Sequence, residues 1–311
     1  MREKTASNFN YGLAIHGGAS ADSEYVRANL KLYEEALEQI CRRGYESLKK
    51  KSSALDTVFT VLELCEDNPL FNSGRGSALN EEGKVHMDAA VMEGKDLKAG
   101  AVTLIEKVKN PSALIREILK DASHIFLGGE GAMRLAAIKN LEFMPDSYFI
   151  TDHQVEYFLK HKKTETVTQK IRKKMKGTNG VVVLDRWGNL ASGSTTGGTA
   201  NSLSGRIGDT CVLGAGCYAN NKTCAVAATG DGEYIIQGVV SHLISCYMEF
   251  TGAKMQQACD YAVHERNKNI RGDLGVIGID AGGNVGMAFN TERMHRAWMT
   301  KKEKLKIKIY R

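Results

Sequence analysis

Arg206-Ile207-Gly208-Asp209 sets a guanidinium and a carboxylate three residues apart, in a stretch (192–209, SGSTTGGTANSLSGRIGD) otherwise crowded with hydroxyls and glycines. Arg grips a carboxylate through two parallel hydrogen bonds. A carboxylate holds an ammonium. Both on one short turn are what an α-amino-acid headgroup requires. The same pair is more commonly a local salt bridge, and the stretch a Gly/Ser-rich surface loop, so R-x-x-D alone is a weak signal. Gly230-Asp231-Gly232 precedes an expected helix, so its amides could form an anion or oxyanion site. Gly177-Thr178 ends a basic stretch (173–185, KKMKGTNGVVVLD) and runs without a turn into apolar β-branched residues. A Thr there reads first as a good strand former.

Other patterns fall away. Gly214 to Ala219 fits G-x-G-x-x-A, but a dinucleotide fingerprint must open a helix and the turn NNKT follows. The sequence contains no G-x-x-x-x-G-K-S/T, no H-E-x-x-H and no G-x-S-x-G. Its seven cysteines are odd in number and hold no C-x-x-C pair, which argues against a disulfide framework or a zinc ribbon and for reduced thiols in a cytoplasm. The net charge of +6 concentrates in 160–176 and 301–311. No aromatic residues interleave with the basic ones in 161–176, so nucleic acid is not an expected partner. No apolar stretch suits a signal peptide or a membrane span. The sequon Asn221-Lys222-Thr223 is read as chance.

Positioning these residues calls for sheets and helices. The periodicity predicts a strand at 11–15 ending at His16, helices over 22–50 and 53–66, and turn chemistry at 68–80. Strands follow in KVHMDAAVMEG and AGAVTLIE. Asn110-Pro111 starts a short helix, and another spans 146–162. The stretch 161–177 is polar and core-poor, a linker. Beyond it come a hairpin through Arg186–Asn189, strands at TCVLGAG and CAVAATG, helices over 232–250 and 254–268, and a hairpin through Ala281–Gly283. Strands and helices segregate on each side of the linker, which implies antiparallel or mixed sheets with helices outside: an α+β fold.

The motifs together are specific. IHGGA (15–19), PLFNSGRGSALN (69–80), MDAAVMEG (87–94), GTNGVVVLDRWGNLASGSTTGG (177–198), GRIGD (205–209), LGAGCYANN (213–221) and AATGDGE (227–233) occur in this order. The chain resembles the plant-type asparaginase and isoaspartyl peptidase family of N-terminal-nucleophile hydrolases, from about residue 11 to 290. The resemblance implies a four-layer αββα sandwich. It implies an inactive precursor cut between Gly177 and Thr178 into an α-subunit (1–177) and a β-subunit (178–311), assembling as (αβ)2. Thr178 would supply both the nucleophile and, through its freed amine, the base, because that amine has an ordinary pKa of about 7.7–8. Thr196 matches the position that hydrogen-bonds the nucleophile. Thr229 and Gly230 match the oxyanion hole. Arg206 would bind the substrate α-carboxylate and Asp209 its α-ammonium, helped by the Gly232 carbonyl, with Asn72 positioned opposite the nucleophile. Backbone carbonyls of Cys65, Glu66, Asn68, Phe71, Ser73 and Arg75 match a loop that wraps a structural sodium ion. No catalytic cofactor is implied.

The implied substrates are isoaspartyl dipeptides and L-asparagine. Asn179, Arg75 and Asp231 depart from the common pattern without removing a catalytic group. A glycosylasparaginase-like amidase is the rival enzyme, and it would carry a secretory signal and disulfides. A non-catalytic binding protein of the same fold is the rival of another kind. Loss of Thr178, Arg206 or Asp209 would mark it, and all three are present.

Overall fold

The computed structural model describes residues 10–121, 123–162, 177–269 and 272–311. The predicted linker at 161–177 lies outside these residues, apart from the end of one helix and Gly177. Among the described residues twelve strands make two sheets. They are β1 (Gly12–Ser20), β2 (Met87–Glu93), β3 (Ala99–Ile105), β4 (Phe126–Gly128), β5 (Asn179–Leu184), β6 (Leu190–Thr196), β7 (Cys217–Ala219), β8 (Cys224–Gly230), β9 (Leu274–Asp280), β10 (Val285–Phe289), β11 (Arg293–Thr300) and β12 (Lys306–Tyr310). One sheet runs β12-β11-β1-β5-β6-β2-β3-β4 and the other β10-β9-β8-β7. Neighbours are antiparallel except β3 and β4.

Side-chain alternation explains the stacking. Along β5, Val181 and Val183 join a core with helices Leu30–Lys49, Ala54–Glu66 and Pro111–Asp121. Val182 and Leu184 point the other way, onto Ala225, Ala227, Ile277 and Ile279 of the second sheet. A strand covered on both faces needs an unbroken apolar run, which VVVL supplies. Each fully buried Val or Leu contributes about 1.5–3 kcal/mol. The layer between the sheets is rich in alanine (Ala14, Ala19, Ala219, Ala225, Ala227), so the sheets approach closely. The outer face of the second sheet packs on helices Val240–Thr251 and Met255–Asp260.

Several expectations change. The 22–50 helix breaks at Asn29, whose N–H turns back to the carbonyls of Tyr25 and Val26. The helix over 146–162 divides into Asp146–Phe149 and Asp152–Lys162. That over 232–250 divides at Val239 (φ 45°), and that over 254–268 ends in a π-helical turn, Tyr261–Arg266. TCVLGAG is not a strand. Val212 and Ala215 donate to Asp209 and Val212, and Gly214 takes φ +89°, so its backbone bonds close locally as turns. The first strand runs past His16 to Ser20 through a bulge. Strands β11 and β12 were missed. In the first, the buried Arg293, His295 and Arg296 break the apolar signal, and in the second alternating lysines do.

Candidate active site

The same alternation aims the candidate residues. In β5, Thr178 (just before the strand) and Gly180 share the face of Val182, between the sheets. In β6, Thr196 shares the face of Leu190, and in β8 Thr229 that of Ala225 and Ala227. Thr178, Thr196 and Thr229 are all buried.

The junction before Thr178 is closely held. Asn72 Nδ2 donates to the Gly177 carbonyl at 2.7 Å, and Thr196 Oγ1 donates to it at 2.9 Å. Asn72 is itself fixed, since Nδ2 also reaches the Gly198 carbonyl at 2.7 Å and Oδ1 accepts from the Ala78 amide at 2.7 Å. The partner of the Thr178 hydroxyl is Thr210 Oγ1, at 3.3 Å. In the continuous chain Thr196 therefore bonds the carbonyl ahead of Thr178 rather than its hydroxyl. Gly18 closes the other side. It sits in the bulge of β1 with φ +106°, and a Cβ there would lie 2.9 Å from Gly177 Cα. Only glycine meets both demands without strain. The next amide, of Ala19, donates to Thr229 Oγ1 at 3.3 Å, which ties the junction to the candidate oxyanion residue. Gly230 follows with φ +141° and no room for a Cβ, which would meet the Asp273 carbonyl.

Arg206, Asp209 and Gly232 come together. A Cβ on Gly232 would lie 2.8 Å from Asp209 Oδ1 and 2.9 Å from Arg206 Nη2. The local salt bridge that R-x-x-D left open does not form. Arg206 binds Glu233 instead, through Nε to Oε1 at 2.9 Å and Nη2 to Oε2 at 3.0 Å. Asp209 Oδ2 is buried without a hydrogen-bond partner. Burial pushes the Asp209 carboxyl up to about 7, against the pull of the Arg206 guanidinium. A buried, unpaired carboxylate oxygen costs free energy in the free protein, and a bound ammonium would recover it. Asp231 turns aside, with Oδ2 accepting from the Asp273 amide at 2.8 Å.

The family model described as asparaginase matches residues 9–309. The chain belongs to the asparaginase family. It is 39% identical over 297 residues to the isoaspartyl peptidase of Escherichia coli (strain K12), covering 92% of each chain. It is 37% identical over 295 residues to the isoaspartyl peptidase of Salmonella typhimurium, covering 92% of this chain and 94% of the relative. A protein of Arabidopsis thaliana named probable isoaspartyl peptidase/L-asparaginase 2 is 33% identical over 324 residues, with 96% of this chain and 99% of the relative covered.

Within this asparaginase-family chain, the loop from Cys65 to Arg75 backs the junction. The departing residue Asn179 is built into it, since Ser73 Oγ donates to Asn179 Oδ1 at 3.0 Å. Arg75 is exposed, its guanidinium 5.7 Å from the centre of the Tyr148 ring. The Glu66 side chain is fully buried and accepts from the Ser112 amide, Ser112 Oγ and Thr195 Oγ1. Burial still outweighs these bonds and lifts its carboxyl to about 8. Sequence reasoning missed Thr210, Glu233 and His16. Thr210 lay in a run misread as strand, and Glu233 in a motif quoted without a role. His16 sits on the inter-sheet face of β1, where Gly180 opposite leaves room for its ring. Neither ring nitrogen is hydrogen-bonded, the Thr178 backbone is the polar neighbour, and burial pushes the imidazole down to about 4.

All seven cysteines are free, six of them buried. Among the described residues no helix is long and apolar enough to cross a membrane.

Proposed function

We propose that the protein is an autoproteolytically activated amidohydrolase acting on β-aspartyl amides, with isoaspartyl dipeptides first and L-asparagine second. The observation that carries this reading is the Gly177 carbonyl, held by Asn72 Nδ2 at 2.7 Å and Thr196 Oγ1 at 2.9 Å immediately before Thr178. Two donors on one carbonyl oxygen suit a negative charge growing there, and one such donor is typically worth about 3–4 kcal/mol. The Thr178 hydroxyl attacks the Gly177 carbonyl carbon and the peptide nitrogen leaves as an amine, giving an ester. Water then hydrolyses the ester, leaving a Gly177 carboxylate and a free Thr178 amine. In the mature enzyme Thr178 acts as nucleophile and its amine as base. Thr229 and Gly230 supply the oxyanion hole, with Thr196 and Asn72 beside the nucleophile. Arg206 and Asp209 grip the aspartyl headgroup, and the Gly232 carbonyl assists Asp209.

The fold in this reading is the four-layer αββα sandwich of the N-terminal-nucleophile hydrolases, with residues 1–177 and 178–311 as α- and β-subunits of an (αβ)2 assembly in the cytoplasm. A structural sodium ion would be held by the backbone carbonyls of Cys65, Glu66, Asn68, Phe71, Ser73 and Arg75. Cβ atoms on Gly74 and Gly76 would fall on the carbonyls of Glu66, Pro69 and Phe71, so only glycine lets the loop fold back this closely on its own carbonyls. A hard cation suits oxygen donors of this kind. Its contribution would be to brace the loop that carries Asn72 and Ser73.

The test is a denaturing gel of purified protein, with N-terminal sequencing, beside an assay on β-Asp-Leu and α-Asp-Leu. The expected result is two fragments, one beginning at Thr178, and hydrolysis of the β-linked dipeptide alone. A protein that stays one chain, or cuts both linkages equally, would refute the reading.

The Asp209 clamp carries its own pH dependence. Its carboxyl sits near 7, and only the ionised form holds an ammonium. Binding of L-aspartate, the expected product, should therefore strengthen as pH rises, by about tenfold between pH 6 and pH 8. L-aspartate inhibition needs no catalytic base, so it separates this titration from that of the Thr178 amine. An inhibition constant flat across that range would sink the assignment of Asp209.

A further inference from the structure

The bond between Arg206 and Glu233 raises a question about which edge of the guanidinium meets the substrate. Glu233 follows Gly232 in the first turn of helix Gly232–Gly238. Its carboxylate takes the side edge of Arg206, at Nε and Nη2. The end edge, Nη1 and Nη2, runs between two glycines. A Cβ on Gly208 would lie 2.9 Å from Nη1, and one on Gly232 would lie 2.9 Å from Nη2. That second point is also 2.8 Å from Asp209 Oδ1, so the end edge and the carboxylate of the proposed ammonium site border the same space at Gly232. Nη1 keeps both of its hydrogens and Nη2 keeps one, enough for a second parallel pair of bonds.

The two side chains differ in exposure. Arg206 is 17% exposed and Glu233 is 59% exposed. An ion pair with one member largely in water contributes little to stability. It does fix direction. A guanidinium free to roll about its long side chain would present its end edge for only part of the time, and fixing it beforehand removes that cost from binding.

We propose that Glu233 is a positioning residue for substrate recognition: it holds Arg206 by the Nε–Nη2 edge so that the Nη1–Nη2 edge faces the substrate α-carboxylate. The inference rests on the reading of Arg206 given under Proposed function. The substrate then docks without displacing Glu233, and the two carboxylates share one cation on adjacent edges.

The experiment compares autoprocessed wild type with Glu233→Ala and Glu233→Gln, measuring KM and kcat on β-Asp-Leu, the inhibition constant of L-aspartate, and Tm. Glu233→Ala should raise both KM and the inhibition constant about tenfold, with kcat falling less than about threefold, since the grip is the same in ground and transition state. Glu233→Gln keeps an acceptor for Nε but sets an NH2 group against Nη2, so it should shift both constants the same way by less. It also serves where the alanine variant fails to fold. Unchanged constants at unchanged Tm would overturn the proposal. So would tighter binding, which would mean that Glu233 competes with substrate for the guanidinium. Arg206→Ala tells the two levels apart. If that variant still binds L-aspartate normally, the headgroup reading itself has failed. If it loses binding while the Glu233 variants match wild type, only this proposal has.

Discussion

Thr178→Ala is expected to remain a single chain of 311 residues and to hydrolyse no β-aspartyl dipeptide. The variant keeps the strand, since position 178 is buried beside the unbroken ladder of β5 with β6. It keeps both donors on the Gly177 carbonyl. It loses only the oxygen that would attack that carbonyl, and with it the route to a free amine. Nucleophile and base therefore vanish together, and the loss should approach the full catalysed rate. Thr178→Ser restores the oxygen without the methyl group. It should mature and turn over, but more slowly, because the branched side chain restricts χ1 and the serine rotates more freely. A gel time course and N-terminal sequencing distinguish the three proteins. Efficient cleavage of the alanine variant at the same bond would assign the nucleophile elsewhere.

The part of this site that could be read from residue order was the part made by side chains with one obvious chemistry. Arg206 and Asp209 stood out because a guanidinium and a carboxylate on one turn suit an amino-acid headgroup, and the ordered motifs around GRIGD favoured that use over a local salt bridge. The burial of β5 was legible because Val181, Val182, Val183 and Leu184 leave no polar face. What escaped depends on contacts across the fold. Glu233 reaches back 27 residues to Arg206. Thr210 meets Thr178 from a segment whose apolar letters imitate a strand, though its hydrogen bonds close as turns. His16 shows its place beside the junction only once β1 is paired with β5 and the ring is seen over Gly180. The strands β11 and β12 escaped for a related reason. Arg296 is buried with its hydrogen bonds satisfied by the carbonyls of Met294 and Tyr310, and periodicity scores it as a surface charge. A polar residue inside a sheet becomes legible only when its partners are known.

Arg206→Ala is expected to mature normally and to lose at least about a thousandfold in kcat/KM on β-Asp-Leu, the scale of truncating one partner of a desolvated charge pair. Arg206 bonds Glu233, whereas the Gly177 carbonyl is held by Asn72 and Thr196, so autocleavage should proceed. What fails is the grip on the aspartyl α-carboxylate, which is left facing Glu233, Asp209 and the buried Asp88 without the guanidinium that neutralised them. Repulsion then adds to the lost attraction. Arg206→Lys should recover only part of the activity, because an ammonium supplies the charge without the planar fork. The same logic sets the linkage preference of the wild type. In a β-linked dipeptide the α-carboxylate and α-ammonium are both free and sit on one carbon. In an α-linked dipeptide that carboxyl is consumed in the peptide bond, so the guanidinium edge not taken by Glu233 meets a neutral amide instead of a carboxylate. Kinetics on β-Asp-Leu, α-Asp-Leu and L-asparagine with the three proteins, alongside a gel to verify maturation, test both statements. Wild-type turnover of the α-linked dipeptide at a comparable rate, or an alanine variant that retains activity, would remove Arg206 from the binding site.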